Sequence, residues 1–278
     1  MAEELEREVA RHYGVTDLAQ RILKGLEAAG LDTAQLNPAD LAPVDEFHTG
    51  GRAATEHALA KLGIAPEHSV LDVGCGLGGA TRYLASTFGC RVTGIDITPE
   101  YVDVAKLLAE RTGLGDKIDY RVASALSLPY AEHSFDAAIT LHVAMNIKDR
   151  ALLYREIARV LKPGADFLSY DVMKGASEDI KFPVPWADTP SMSHLVTPKE
   201  MRRLLERAGF AVGAVEDRSA YGIEFFRKRL AAGAAGGPPH LGLHLLMGAS
   251  TRPKLENLLA ALEAGAVHPV VIVARKKG

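Results

Sequence analysis

Three glycines that follow a short apolar run form a pattern able to bind a nucleotide. The run spans residues 70–73, and Gly74, Gly76 and Gly79 then fit G-x-G-x-x-G. Such glycines let the backbone turn sharply from a strand into a helix and approach a ligand closely. Asp96 stands 20 residues beyond Gly76, at the end of the next apolar run, where an acid binds ribose hydroxyls. The spacing predicts an adenosine-containing ligand.

A carboxylate inside the first run narrows the choice of ligand. Asp72 precedes Gly74 by two positions. A dinucleotide places its pyrophosphate over the glycine turn, at the helix N-terminus, and this carboxylate would repel it. A ligand with a cationic amino-acid group would be attracted instead. S-adenosylmethionine has that shape, and the alternatives are a nicotinamide dinucleotide or a tight turn that binds nothing.

Several stretches resemble the motifs of a known family. The sequence VLDVGCGLGGATRYLA, residues 70–85, resembles the first motif of class I S-adenosylmethionine-dependent methyltransferases. Further motifs of that family resemble residues 94–96, 124–129, 135–140 and 160–164, so the likeness covers roughly residues 44–217. Residues 46–52, 142–147 and 182–186 resemble the small-molecule type 11 branch, which includes enzymes similar to sarcosine/dimethylglycine N-methyltransferases.

The motifs and the resemblance together give a set of expected cofactor contacts. We expect Asp96 to bind the ribose hydroxyls, because Thr98, just before Pro99, already serves as the helix cap. Tyr13, on an N-terminal helical pattern, could close over the sulfonium, since aromatic rings suit a cation. The predicted cofactor-binding residues are Tyr13, Asp72, Gly74, Gly76, Asp96, Ile97, Ser124, Ala125, Leu126 and Leu141.

Ser124 departs from the family pattern, which usually has an acid at this position beside adenine. A hydroxyl can still accept a hydrogen bond from the adenine amino group, but without the assistance of charge. The departure predicts a weaker contact to the cofactor and no change of fold.

The residues predicted to contact the substrate, the molecule that would accept a methyl group, include one directly after the fourth apolar run. His142 follows that run at the edge where open α/β sheets bind ligands. It could act as a general base or hydrogen-bond the substrate, and the alternative is a packed histidine bonded to backbone. His48, Asn146 and Trp186 are predicted to contact the substrate. Trp186, in a proline-rich stretch, could equally fasten that stretch to the core.

Short apolar runs alternate with helical periodicity along the chain. This alternation predicts an α/β fold, a Rossmann-like and mostly parallel sheet with helices on both faces. The resemblance implies seven strands, the seventh antiparallel. We expect an N-terminal helical lid over residues 1–43, the cofactor domain over 44–217 with an insertion at 173–196, and cap helices plus the last strand over 218–278. Two helical patterns in that last segment flank a loop from Gly233 to Pro239.

Composition sets limits on the class of protein. The chain has 278 residues, of which 47% are hydrophobic and 24% charged, with a net charge of −3. These values exclude a disordered chain and argue against a nucleic-acid binder. No apolar run reaches the ~20 residues of a membrane span. The charged N-terminus and two cysteines favour the cytoplasm, and the histidines show no metal-ligand spacing.

The expected reaction is methyl transfer to a small-molecule acceptor, with S-adenosylhomocysteine as the product. The resemblance favours the nitrogen of a small amine or amino acid. Methylation of oxygen, sulfur or carbon in another metabolite is the alternative within enzymes. An adenosylmethionine-binding regulatory protein is the alternative outside them. No nucleic acid or membrane is expected as a partner, and the chain is expected to be a monomer or a homodimer.

Overall fold

Seven strands form one sheet in the computed structural model, which describes residues 2–236 and 239–278. The order across the sheet is β3-β2-β1-β4-β5-β7-β6. Strands β1 to β5 pair in parallel, and β7 lies antiparallel between β5 and β6. The predicted Rossmann-like fold with an antiparallel seventh strand is therefore confirmed. The strands are β1 Ser69–Val73, β2 Arg91–Asp96, β3 Ile118–Val122, β4 Phe135–Leu141, β5 Leu161–Lys174, β6 Phe210–Asp217 and β7 Val267–Lys276.

Helices cover both faces of this sheet and extend beyond its carboxyl edge. The helices are α1 Ala2–Tyr13, α2 Leu18–Ala28, α3 Ala42–Asp45, α4 Gly51–Leu59, α5 Gly79–Phe88, α6 Pro99–Arg111, α7 Arg150–Val160, α8 Pro198–Arg207, α9 Ser219–Gly236, α10 His244–Met247 and α11 Thr251–Glu263. Within the described residues, no helix is both long and apolar enough to cross a membrane.

Alternate residues of the central strands enter two separate cores. Leu71 of β1 packs with α7 and α8 on one face, while Val70 packs with α4 and α5 on the other. Because successive side chains of a strand point to opposite faces, a strand buried on both faces must be apolar at nearly every position. This explains why the central strands are continuous apolar runs in the sequence.

The N-terminal helices and part of the C-terminal segment share a third core beyond the sheet edge. Leu18, Ile22 and Leu26 of α2 pack against α6 and against Leu241 and Leu246. Segments that lie far apart in the chain therefore meet over the same edge of the sheet. Their assignment as lid and cap, and the boundaries after residues 43 and 217, stay predictions.

Two predicted boundaries shift in the structure. Strand β5 continues to Lys174, so the insertion begins after the predicted residue 173, because the strand keeps pairing with β7 up to Val267. Helix α9 continues to Gly236 and passes through the predicted loop start at Gly233. Residues 237 and 238 of that predicted loop lie outside the described residues.

Candidate functional site

A cavity of about 800 Å³ opens at the carboxyl ends of β1, β2 and β4, within the usual size range of small-molecule sites. Helix α1, the turns after these strands, the 175–197 segment and helices α9 to α11 surround it. Every predicted site residue except Ser124 lines this cavity. Those that line it are Tyr13, His48, Asp72, Gly74, Gly76, Asp96, Ile97, Ala125, Leu126, Leu141, His142, Asn146 and Trp186.

The glycine turn between β1 and α5 forms the cavity floor. Gly74 has φ 77°, and a Cβ there would lie 2.4 Å from Cγ2 of Val143, so only glycine fits. Gly76 has φ 55°, and a Cβ there would meet nothing within 4 Å. The position that a side chain would occupy at Gly76 is thus open, in the part of the turn that faces the cavity. A ligand can approach the backbone there.

Asp96, at the end of β2, holds the turn and also faces the cavity. Its carboxylate accepts hydrogen bonds from the backbone N–H groups of Gly76 and Thr98, each at 2.9 Å. Burial raises the pKa of Asp96, and these amide donors act in the opposite direction. Thr98 is the N-cap residue of helix α6 with Pro99 at the first helical position, as predicted, although its side chain makes no capping hydrogen bond. The Thr98 amide is bonded to Asp96 instead.

Asp72 is a second carboxylate at the cavity floor, and it is only 2% exposed. The Thr81 hydroxyl donates to it at 2.6 Å. Burial raises the pKa of Asp72 to about 7; the Thr81 hydrogen bond opposes this shift, and the charge of Asp96 adds to it. A cationic group bound beside Asp72 would stabilise its ionised form.

His142 stands where β4 leaves the sheet, on a left-handed backbone turn with φ 55°. The backbone N–H of His142 donates to the Tyr170 carbonyl at 2.7 Å. Nε2 is buried and has no hydrogen-bond partner among the described residues. Burial, and then the nearby charge of His48, hold the pKa of His142 well below its usual 6.5. A neutral imidazole therefore lines the cavity.

His48 is held by partners that the sequence reasoning did not assign. Its Nε2 lies 2.8 Å from Oε2 of Glu46 and 2.8 Å from Oγ1 of Thr55. Thr55 also donates to Glu46 at 2.7 Å. Burial opposes ionisation of Glu46, but the hydrogen bond and charge of His48 outweigh it, so the pKa of Glu46 is lowered. The His48 ring lies 5.7 Å from the ring of His142. Glu46 belongs to the 46–52 stretch that resembles the type 11 branch, but no motif spacing identified it as a functional residue.

Three predicted residues are linked across the cavity mouth. The Tyr13 hydroxyl, at the end of α1, donates to Oδ1 of Asn146 at 3.0 Å. Nδ2 of Asn146 donates to the Trp186 carbonyl at 2.7 Å, and the Trp186 indole donates to Oγ of Ser193 at 2.9 Å. The chain of bonds joins α1, the turn after β4 and the 175–197 segment. Asn146 therefore bonds protein groups with both ends of its amide.

Ser124 does not line the cavity. Its hydroxyl donates to Glu6 of α1 and accepts from the Leu126 amide at 3.0 Å. Glu6 itself lines the cavity. The predicted contact between Ser124 and adenine stays a prediction. The structure adds a carboxylate on α1 that no sequence motif indicated, because 118 residues separate it from Ser124.

Comparison with known proteins gives the family. Residues 71–169 match a family model described as a methyltransferase domain. Methyltransferase GfsG of Streptomyces halstedii is 31% identical over 181 residues, which cover 65% of this chain and 63% of that protein. The glycine/sarcosine/dimethylglycine N-methyltransferase of Actinopolyspora halophila is 31% identical over 179 residues, which cover 64% of this chain and 32% of that protein. The matched region thus spans less than two thirds of each relative.

A solved structure shares the fold over nearly the whole chain. Geranyl diphosphate C-methyltransferase from Streptomyces coelicolor A3(2), in complex with Mg²⁺, geranyl-S-thiolodiphosphate and S-adenosyl-L-homocysteine, superposes with a TM-score of 0.72. The match covers 98% of both chains at 19% identity, which shows likeness of fold alone. With the family model and the relatives, these findings confirm the resemblance seen in the motifs: the chain contains a class I S-adenosylmethionine-dependent methyltransferase domain.

Proposed function

We propose that this chain transfers a methyl group from S-adenosylmethionine to the nitrogen of a small acceptor. The observation that carries the proposal is one cavity that combines the glycine turn, the carboxylates of Asp72 and Asp96, and the neutral imidazole of His142. The glycine turn and the two carboxylates suit an adenosine with a cationic tail. A neutral imidazole suits a nucleophile that carries an N–H or O–H group.

The residues at the turn fit the cofactor. The open position at Gly76 admits a ligand against the backbone, and the Asp96 carboxylate can accept from the ribose hydroxyls. Asp72 provides negative charge for an ammonium group, and the Tyr13 ring provides an aromatic surface. When bound, the cofactor supplies an electrophilic methyl group. The relatives named as methyltransferases and the S-adenosyl-L-homocysteine in the superposed structure support this assignment.

The protein's contribution to the reaction is alignment. Methyl transfer is an in-line displacement, so the cavity must hold the acceptor on one line with methyl and sulfur and exclude water. His142 lines the cavity as a neutral imidazole, where it can help to orient the acceptor. Because its pKa is low, His142 cannot deprotonate an alkylammonium ion, so the acceptor must arrive uncharged and the ammonium product of methyl transfer releases its proton to water.

A hydroxyl acceptor is the second candidate, and the same observation favours it. A neutral imidazole accepts a hydrogen bond from a phenolic or enolic O–H as well as from N–H. No other feature at His142 distinguishes a nitrogen acceptor from an oxygen acceptor. The known proteins above likewise differ in acceptor, since the Actinopolyspora halophila relative is named an N-methyltransferase and the superposed enzyme a C-methyltransferase.

The experiment is a panel of amines, anilines, phenols and thiols incubated with the chain and S-adenosylmethionine. Release of S-adenosylhomocysteine is measured together with the mass of the methylated product. We expect turnover with an uncharged nitrogen or oxygen nucleophile. Tight binding of S-adenosylmethionine by calorimetry without turnover on any member would favour the regulatory-protein alternative and contradict the proposal.

A further inference from the structure

We propose that the acceptor is an uncharged, largely apolar molecule that carries no carboxylate, phosphate or diphosphate group. This inference rests on the proposed function and names the substrate class of the same cavity. It separates this chain from an enzyme that methylates an amino acid or a phosphorylated substrate. The charges and the apolar wall of the cavity carry it.

The charged groups around the cavity are almost all negative. Lys148 is the one lysine or arginine among the described lining residues, and it is exposed at the surface. Acidic residues line the cavity at eight positions: Glu4, Glu6, Glu8, Asp45, Glu46, Asp72, Asp96 and Asp149. An anionic acceptor would lose its hydration here and gain little opposite charge in return.

The two acids that do have basic partners leave no cation for a ligand. Asp45 pairs with Arg82 at 2.6 Å, and both side chains are buried. Glu46 pairs with His48 at 2.8 Å, and the guanidinium of Arg52 lies 3.7 Å from it. Neither arginine lines the cavity. The two arginines beside these acids are therefore occupied by protein carboxylates.

The wall farthest from the glycine turn is apolar. Met145, Trp186, Phe226, Leu255 and Leu258 belong to one buried cluster and also line the cavity. They come from the turn after β4, the 175–197 segment, α9 and α11. Leu243 and Leu246 extend this wall from the neighbouring core. A ligand that covers such a wall gains about 25 cal/mol for each Å² of apolar surface removed from water.

Polar groups on this side are few and neutral. Nε2 of His142 and Nε2 of His194 are buried without a partner among the described residues. Burial, and then the nearby charges of Lys148 and Arg150, lower the pKa of His194 as well. Two neutral imidazoles provide no fixed positive charge for an anionic ligand. The wall thus matches an apolar body with one or two uncharged polar groups.

The test measures acceptor binding, so it does not depend on turnover. Calorimetry in the presence of S-adenosylhomocysteine compares N-ethylaniline with N-phenylglycine, and 4-propylphenol with 3-(4-hydroxyphenyl)propionate. Within each pair a methyl group is replaced by a carboxylate. We expect the uncharged member to bind at least tenfold more tightly. Equal or tighter binding of the carboxylated member in both pairs would overturn the inference.

A positive charge placed in the cavity wall gives a second test, because it should reverse the preference for the uncharged ligand. Leu258→Lys puts an ammonium group in the cavity, and Ser191→Lys does so from an exposed position that leaves the core intact. Both should shift the preference at least tenfold towards the carboxylated member. Ala260→Lys, on the outer face of α11 and away from the cavity, is the control and should leave the preference unchanged. An unchanged preference in Ser191→Lys would contradict the inference.

These outcomes are separable from failure of the proposed function. If S-adenosylhomocysteine binds and the uncharged members bind, but no methyl group is transferred to any acceptor, the proposed reaction fails while the substrate class stands. If methyl transfer occurs and the carboxylated members are the better substrates, the reaction stands and the substrate class fails.

Discussion

The imidazole of His142 lies edge-on against the ring of Tyr170, with 5.0 Å between the ring centres. Tyr170 is fully buried in β5, and its hydroxyl donates to the Thr49 carbonyl at 2.8 Å. The contact therefore fixes His142 against a rigid strand at the point where its own backbone is left-handed. A cavity-lining histidine held in that way keeps one orientation before a ligand binds.

Replacing His142 by glycine should impair use of the acceptor and spare the cofactor. Glycine keeps the left-handed backbone without strain, so the variant removes only the imidazole. We expect the KM for the acceptor to rise about tenfold and kcat to fall by up to ~100-fold. The dissociation constant of S-adenosylmethionine should stay within a few-fold.

His133→Gly is the matched control, since His133 also has positive φ, at 60°, and is exposed. Unchanged acceptor kinetics in His142→Gly would return His142 to a packing role.

In the wild type, the acidic limb of the plot of kcat against pH should lie below pH 6.5, because the pKa of His142 is lowered. A limb above that pH would assign it to another group.

Binding of S-adenosylmethionine should strengthen as the pH rises from about 6 to about 8. Asp72 has a pKa near 7 in the free protein, so its charge, which attracts the cofactor's ammonium group, develops in this range. Asp72→Asn keeps an acceptor for Thr81 but removes the charge. Its affinity at pH 8 should be about tenfold lower and nearly independent of pH. A wild-type pH dependence that survives in Asp72→Asn would exclude this role.

Asp72 should also affect the stability of the free protein, and this effect of pH is opposite in direction to its effect on cofactor binding. The raised pKa means that folded Asp72 keeps its proton where an unfolded aspartate has lost it. The free energy of unfolding of the free protein should therefore fall as the pH rises from about 4 to about 7. Asp72→Asn should reduce this slope in denaturant titrations at several pH values. An identical slope in both proteins would show that Asp72 ionises normally.

Asp96→Ala should weaken S-adenosylmethionine binding by ~1.5–3 kcal/mol, the contribution of hydrogen bonds to a charged group. Titration calorimetry measures this loss. Asp103→Ala, an exposed position on α6, serves as the control. Since Asp96 also accepts from the Gly76 amide, thermal unfolding should be measured in parallel to separate loss of the turn from loss of the ribose contact. Unchanged affinity would remove Asp96 from the site.

Tyr13→Phe should shorten the residence time of the cofactor. The variant breaks the hydrogen bond to Asn146 that joins α1 to the turn after β4, at a cost of about 1 kcal/mol. We expect dissociation of S-adenosylmethionine, measured by stopped-flow displacement, to become roughly fivefold faster. Tyr83→Phe on α5 is a control outside the cavity. An unchanged rate would mean that this bond does not hold α1 over the ligand.

Local signals in the sequence were enough to predict the alternation of strands and helices and the glycine turn after the first strand. The apolar run before Gly74 and the spacing to Asp96 each lie within about one strand-turn-helix unit, where backbone geometry is fixed by nearby residues. Strand β5 was predicted shorter than it is, because its extension to Lys174 depends on pairing with β7 about a hundred residues later.

Contacts between distant segments account for what the sequence did not reveal. Glu6 meets Ser124, and His194 and Phe226 reach the cavity of His142, only because helices from both chain ends fold over one sheet edge. No periodicity or motif encodes such a meeting. The start of α6 shows the opposite case, since Thr98 is its N-cap residue and Pro99 its first residue, as the local sequence predicts.

The most direct test of the account is titration of S-adenosylmethionine into the wild-type chain and into Gly76→Val. We expect one cofactor per chain for the wild type and no measurable binding for the variant, whose side chain would fill the open position at the turn. Gly113→Val, which imposes the same backbone strain at φ 68° in open space outside the cavity, should bind normally. No binding heat in the wild type, or equal affinity in folded Gly76→Val, would contradict it.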